Sequence, residues 1–168
     1  CDGAFFQQVP VAIVGGGDSA VKEALYMADI AAKVYLIHRR EEFRANQTAV
    51  DKMLADPRIE LKLNRTVKRI EGEGLMQRLI LQDVISGQEE ALEVEGLFVS
   101  IGLVAAADFI EVLLDTRDGY ILTDDKMLTS VPGIFAAGDI RAKVGRQVAT
   151  AVGDGAMAAI SVTEYLKE

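Results

Sequence analysis

An apolar run, Val11-Ala12-Ile13-Val14, breaks at Gly15-Gly16-Gly17. Val21, Ala24, Leu25 and Ala28 follow at helical spacing, and then a second apolar run, Val34-Tyr35-Leu36-Ile37. A strand, a glycine turn, a helix with one apolar side and another strand form a unit that buries its faces only in a parallel sheet covered by helices. In the spacing Gly15-x-Gly17-x-x-Ala20 each small residue has a separate task. Gly15 permits the tight turn, Gly17 keeps no side chain between backbone and a pyrophosphate, and Ala20 lets helix and strand approach closely. Phosphates would rest on the free N–H groups at the helix start, where the dipole favours negative charge. Asp18 or Ser19 is expected to cap that end. The pattern therefore reads as a dinucleotide site.

The residue that reads the ribose lies about 20 residues beyond such a turn, at the end of the second strand. His38 and Arg39 stand there, with Arg40 and Arg44 close behind. A carboxylate at this place accepts a bond from a 2′-hydroxyl, whereas planar, permanently charged guanidinium groups suit a phosphate dianion. The spacing thus points to NADPH. A competing reading makes the arginines a solvated turn paired with Glu41 and Glu42. His38, the one histidine, has no cysteine or histidine cluster around it that would make a metal site.

Half of the 168 residues are apolar, enough for a real core in one domain or two small ones. No apolar stretch reaches the roughly 18 residues of a membrane span. The longest, 97–110, is interrupted by Ser100, Gly102 and Asp108, and no signal core opens the chain, so a cytoplasmic protein away from the membrane is expected. The net charge of −8 is unevenly placed. Residues 1–84 carry 12 Lys/Arg and 12 Asp/Glu, and 85–168 carry 6 and 14, which disfavours a nucleic-acid surface. The single cysteine, Cys1, excludes a disulfide within the chain, and a start at cysteine suggests a fragment or a processed product.

Strands are expected over 9–14 and 33–38, and helices over 19–31 and from 43 to 55, where Pro57 stops the second. Mostly strands follow: 59–64, 67–71, 75–84 and 91–101, with Leu79, Leu81 and Val84 facing Leu92, Val94 and Leu97 in a hairpin. The fold class is α/β: a three-layer, Rossmann-like dinucleotide-binding domain over 1–103, closed on one side by a hairpin or meander. Residues 104–168 read as a second, incomplete unit. They hold an amphipathic segment over 109–114, a hairpin at Gly119–Thr123, an apolar strand over 132–139 ending in Gly138-Asp139, and a helix over 146–166. That helix lines Val148, Val152, Ala156, Ala159 and Ile160 along one face, which needs something large to pack on.

The motifs together resemble the C-terminal part of low-molecular-weight bacterial thioredoxin reductases, flavoproteins that pass electrons from NADPH through FAD to a disulfide. The resemblance runs from Cys1 to the end, through Cys-Asp-Gly at 1–3, Gly-Gly-Gly-Asp-Ser-Ala at 15–20, His-Arg-Arg with Arg44, Gly-Leu-Phe-Val-Ser-Ile-Gly at 96–102, Phe-Ala-Ala-Gly-Asp at 135–139 and Arg-Gln-Val at 146–148. It implies that Cys1 is the flavin-facing thiol of a Cys-x-x-Cys pair and Asp2 the acid of the thiol chemistry. Gly138 and Asp139 would hold the ribityl–phosphate region of FAD, and Arg146, Gln147 and Val148 would lie against its isoalloxazine end. The NADPH contacts would come from Gly15, Gly17, Asp18, Ser19, Ala20, His38, Arg39, Arg40 and Arg44, with Gly102 closing the shared motif. Leu103-Val104 stand where the family has Pro-Asn after Gly102.

The same resemblance implies that the first half of the FAD domain and the other redox cysteine lie outside this chain, deleted or supplied by a partner chain. The chain alone is then expected to bind NADPH without turnover, while the complete enzyme reduces a thioredoxin-like disulfide protein. A homodimer is left open. Two alternatives stand beside this reading. One is an NADPH-binding module or a ferredoxin–NADP reductase-like relative, against which Cys1-Asp2-Gly3 argues. The other is a subunit whose flavin site a partner completes.

Overall fold

The computed structural model describes residues 2–107, 110 and 113–167. Cys1 and half of the expected amphipathic segment over 109–114 (residues 109, 111 and 112) lie outside the described residues. The chain forms two compact units, Cys1–Gly102 and Leu103–Glu168.

In the first unit, a short 3₁₀ turn (Asp2–Phe6) leads into β1 (Pro10–Gly15), α1 (Asp18–Ala28), β2 (Lys33–His38), α2 (Gln47–Leu54) and β3 (Ile59–Leu63). β4 (Arg65–Glu71), β5 (Arg78–Asp83) and β6 (Glu89–Glu93) form an antiparallel meander before β7 (Gly96–Ser100). β3, β2, β1 and β7 lie side by side in that order, all parallel.

The alternation of side chains along each strand sorts the core into two layers. Val11 and Ile13 of β1 with Val34 and Leu36 of β2 face α1 and α2, where Val21, Ala24, Met27, Val50 and Met53 meet them. Ala12 and Ile37, from the opposite face, pack on Leu79, Leu81, Leu92 and Val94 of the meander side. Both faces of β1 are thus dry, which is why its sequence is an unbroken apolar run. Each fully buried Leu or Ile here contributes about 1.5–3 kcal/mol relative to exposure. The α/β, three-layer architecture is the one read from the sequence.

Two local readings change. The strand expected over 91–101 is two strands in different sheets, because the chain leaves the meander after Glu93 and enters the parallel sheet at Gly96. Val94 is fully buried at the crossing, the Glu95 N–H donates to the Pro10 carbonyl, and a Cβ on Gly96 would meet the Phe6 ring at 2.6 Å. The second helix starts at Gln47 rather than 43, capped by the Asn46 side chain, which accepts from Thr48 N–H.

The second unit holds the small hairpin of β8 (Thr116–Arg117) and β9 (Tyr120–Ile121), a 3₁₀ turn (Gly138–Ile140) and α3 (Val148–Tyr165). Asp118 and Gly119 both take positive φ, as a two-residue hairpin turn requires. The strand expected over 132–139 does not form. Pro132-Gly133 turns the chain back so that Phe135 bridges Leu128, and Thr129 N–H and Ala136 N–H bond to Ile134 and Met127 carbonyls. Its core is small: Ala105, Ala107, Leu114, Ile121 and Ala136. On α3, Val148, Val152 and Ile160 are more than half exposed, and Ser161 is its one buried residue among those described. No helix among the described residues is long and apolar enough to cross a membrane.

Candidate functional site

β1 lies between β2 and β7, so the connections from its two neighbours diverge above its C-terminal end. A crevice opens at such a point in parallel sheets. Here it is a cleft of about 690 Å³ bordered by the glycine turn after β1, the arginine loop after β2 and the end of β7.

The three glycines do different things. Gly15 has φ 156°, and a Cβ there would overlap the Ser100 carbonyl and come within 2.7 Å of Ala20 Cβ. It therefore permits close packing of β1 on both β7 and α1, and Ala20 is fully buried beneath it, behind the cleft rather than in it. A Cβ on Gly16 would run into the His38 ring. Around Gly17 there is nothing within 4 Å, so its bare backbone faces open space at the start of α1.

The expected cap by Asp18 or Ser19 is not formed. Gly17 is the N-cap residue and makes no side-chain cap bond, and among the described residues no other side chain bonds to the first helical N–H groups. Asp18 is instead the first helical residue, and its carboxylate accepts the Asn46 N–H at 2.8 Å, an end-to-end link between α1 and α2. Ser19 is exposed on the cleft wall. An uncapped helix start with Gly17 bare in front of it keeps its donors available to an anion.

The arginine loop is tied down at several points. His38 stacks on Phe43 with centroids 5.4 Å apart, its Nε2–H donates to the Glu42 carbonyl at 3.1 Å, and Arg44 N–H donates to the Gly16 carbonyl at 2.8 Å. Burial, and then the positive field of Arg40, Arg39 and Arg44, hold the His38 pKa below its usual value against the pull of that carbonyl. A neutral imidazole with this packing positions the loop. Arg39, Arg40 and Arg44 all line the cleft. Ion pairs engage Arg58, Arg65, Arg69, Arg78 and Arg141, but among the described residues none engages these three. The competing solvated-turn reading required Glu41 and Glu42 as their partners.

Arg65, Thr66 and Val67 also line the cleft and were missed in the sequence. Their signal was positional, since they follow the end of β3 at the same edge of the sheet as His38, which pairs with Leu63. Arg65 differs from the loop arginines. It is paired with Asp83 and, at 3.0 Å, with Glu90, and it donates to the Leu63 and Asn64 carbonyls, so its charge is already answered. Gly102, with φ 102°, ends the β7 wall. Asp2 is exposed in the opening 3₁₀ turn.

In the second unit, Gly138 takes φ 82° and Asp139 is exposed, 3.5 Å from Lys143 Nζ. Asp154 of α3, unmarked in a run of small residues, organises this turn. Its carboxylate accepts the Gly138 N–H at 3.1 Å and pairs with Arg141 at 2.9 Å and Lys143 at 3.0 Å. Burial raises its pKa, yet the Lys143, Arg141 and Gly138 donors outweigh that and leave it below the usual carboxylate value. Arg146 lies over the Tyr120 ring at 3.8 Å, with a buried Nε that has no hydrogen-bond partner among the described residues. Gln147 caps α3 in a reciprocal pair with Thr150, and Val148 follows, exposed.

Residues 1–155 match the family model described as pyridine nucleotide-disulphide oxidoreductase. Thioredoxin reductases of Listeria innocua and Bacillus subtilis are each 42% identical to the chain, over its whole length, and it covers 53% and 54% of them. The crystal structure of thioredoxin reductase from Streptococcus pyogenes superposes with a TM-score of 0.87 at 40% identity, covering 99% of this chain and 55% of that one. The chain spans about half the length of the relatives it matches. With a cleft at a parallel-sheet switch point and a family match over most of its length, this chain belongs to the pyridine nucleotide-disulphide oxidoreductases.

Proposed function

We propose that residues 1–103 are the NADPH-binding domain, and 104–168 the C-terminal segment of the FAD-binding domain, of a disulfide reductase acting on a thioredoxin-like protein. The observation that carries the reading is the set of three guanidinium groups without ion-pair partners among the described residues, set beside an uncapped helix start and a bare Gly17. The pyrophosphate would rest on the α1 N–H groups, and Arg39, Arg40 and Arg44 would answer the 2′-phosphate. His38 holds their loop against Gly16. Three uncompensated cations next to a 2′-hydroxyl would have no equivalent task.

The FAD segment fits its group in two respects. The Gly138 turn keeps its left-handed backbone free of side-chain obstruction, and the orphaned Arg146 Nε is a buried donor awaiting an acceptor. When bound, FAD supplies the two-electron relay between the nicotinamide and a disulfide. Asp139 would accept from its sugar hydroxyls. The Cys1 thiol would face the flavin, with Asp2 handling the proton, and the second sulfur of its pair, coming from the rest of a longer protein, would pass the electrons on to the partner disulfide by thiol–disulfide exchange. The uncovered apolar face of α3 supports that completion. A reducing compartment, the cytoplasm, belongs to the same reading.

Calorimetric titration tests the phosphate assignment. Arg39→Ala with Arg40→Ala should weaken NADPH binding far more than NADH binding, and equal losses for the two nucleotides would refute it.

A further inference from the structure

Asp18, Glu41 and Glu42 stand among the groups proposed to receive phosphates, and among the described residues none of the three forms an ion pair with a guanidinium of the loop. Asp18, at the start of α1, is held by the Asn46 N–H. Glu41 follows Arg40 directly and lies three residues before Arg44, close enough along the chain to neutralise either. Its Oε1 is instead turned to the Asn64 side chain, whose Nδ2–H donates to it at 3.0 Å.

Asn64 can reach this loop because of where it sits. It is the one residue between β3 and β4, at the sheet edge beside His38. Its backbone has φ 55°, a left-handed conformation that asparagine tolerates better than most residues. Its carbonyl is used separately, by Val84 N–H and by Arg65. The amide side chain is therefore free to act on Glu41 alone.

We infer that Asn64 is a positioning residue for nucleotide choice: by holding Glu41 away from Arg39, Arg40 and Arg44, it keeps their charge available to a 2′-phosphate. The inference rests on the NADPH reading of the cleft. Without the Asn64 donor, Glu41 gains nothing by facing the β3–β4 turn and pairs with the nearest guanidinium, which must then be freed before a phosphate binds. The cost falls on the phosphorylated nucleotide only.

The test is calorimetric titration of NADPH and NADH into the full chain bearing Asn64→Gly, which keeps the left-handed turn but has no donor. NADPH affinity is expected to fall three- to tenfold, NADH affinity by less than twofold, and the double variant Asn64→Gly with Glu41→Gln to regain most of the NADPH loss. A loss shared equally by both nucleotides, no loss at all, or a loss that Glu41→Gln fails to restore overturns the inference. Arg39→Ala with Arg40→Ala serves as the control. If that variant fails to discriminate, the phosphate reading falls and this inference with it, whereas a discriminating cleft with an indifferent Asn64→Gly sinks the inference alone.

Discussion

Neighbouring glycines in the same turn should fail in opposite ways when given a side chain. At Gly17 an added Cβ meets nothing within 4 Å, and the extended backbone (φ −100°, ψ −178°) accepts a β-branched residue. Gly17→Val should therefore change folding stability by no more than about 1 kcal/mol, valine being a poorer N-cap than glycine while restricting the unfolded chain. It places its methyl groups in the space above the α1 N–H groups, so NADPH affinity should fall at least tenfold, about 1.4 kcal/mol. At Gly16 the new methyl would coincide with the His38 ring. That ring is trapped by Phe43 and by its bond to the Glu42 carbonyl, so Gly16→Ala should cost about 1–3 kcal/mol as overpacking does. For a unit of this size each kcal/mol lowers the melting point by about 4–8 °C. Thermal unfolding followed by circular dichroism and NADPH titration by calorimetry separate the two outcomes. A Gly17→Val protein that binds NADPH normally would show that the phosphates lie elsewhere, and a Gly16→Ala protein of unchanged stability would show that His38 is not a fixed part of the loop.

As the one histidine in the chain, His38 provides a single imidazole signal for proton NMR. Its midpoint should lie below 6.5, and NADPH should raise it more than NADH does, because the 2′-phosphate offsets the surrounding arginines. Its depressed value means that stability is full above about 6.5 and declines as pH falls through the folded-state midpoint, which urea unfolding at pH 7 and 5 would register. Asp56, bonded by Arg58, should titrate at about 2, and Arg58→Ala should return it towards 3.8, both readable from carboxyl carbon shifts. Asp154→Asn should destabilise the second unit by about 2–4 kcal/mol, since it leaves Arg141 largely buried without its counter-charge and Lys143 with the exposed Asp139 alone; an unaltered denaturation midpoint would show that the triad is dispensable.

The first unit was legible because its signals are local. β1, α1 and β2 announce themselves by period and by glycine spacing, and Leu79, Leu81, Leu92 and Val94 keep the alternation of a covered meander. What escaped depends on long-range geometry. Residues 91–101 read as one apolar stretch, and nothing within them reveals that the chain changes sheets at Val94-Glu95, where Phe6 and Pro10 receive it. Phe43 and Arg44 look helical until the His38 ring and the Gly16 carbonyl claim them. The arginines were visible as a cluster, but their lack of ion-pair partners among the described residues was not, because a Glu41 drawn off by Asn64 is a contact across 23 positions. Asp154 carried no signal in a run of small residues, and its partners lie 11 to 16 residues back.

The wall of the cleft nearest Gly102 is β7, and β7 is held to β1 across more than 80 residues, with Val11 opposite Gly96 and Gly15 opposite Ser100. Closing so long a loop is slow, and its entropy must be met before the pairing returns anything. During synthesis the glycine turn and the arginine loop exist well before the strand that completes their pocket. If the cleft takes the nucleotide proposed for it, capture waits for β7, and a ribosome-bound product ending before residue 96 should show no affinity for NADPH even with every residue proposed to face a phosphate already made.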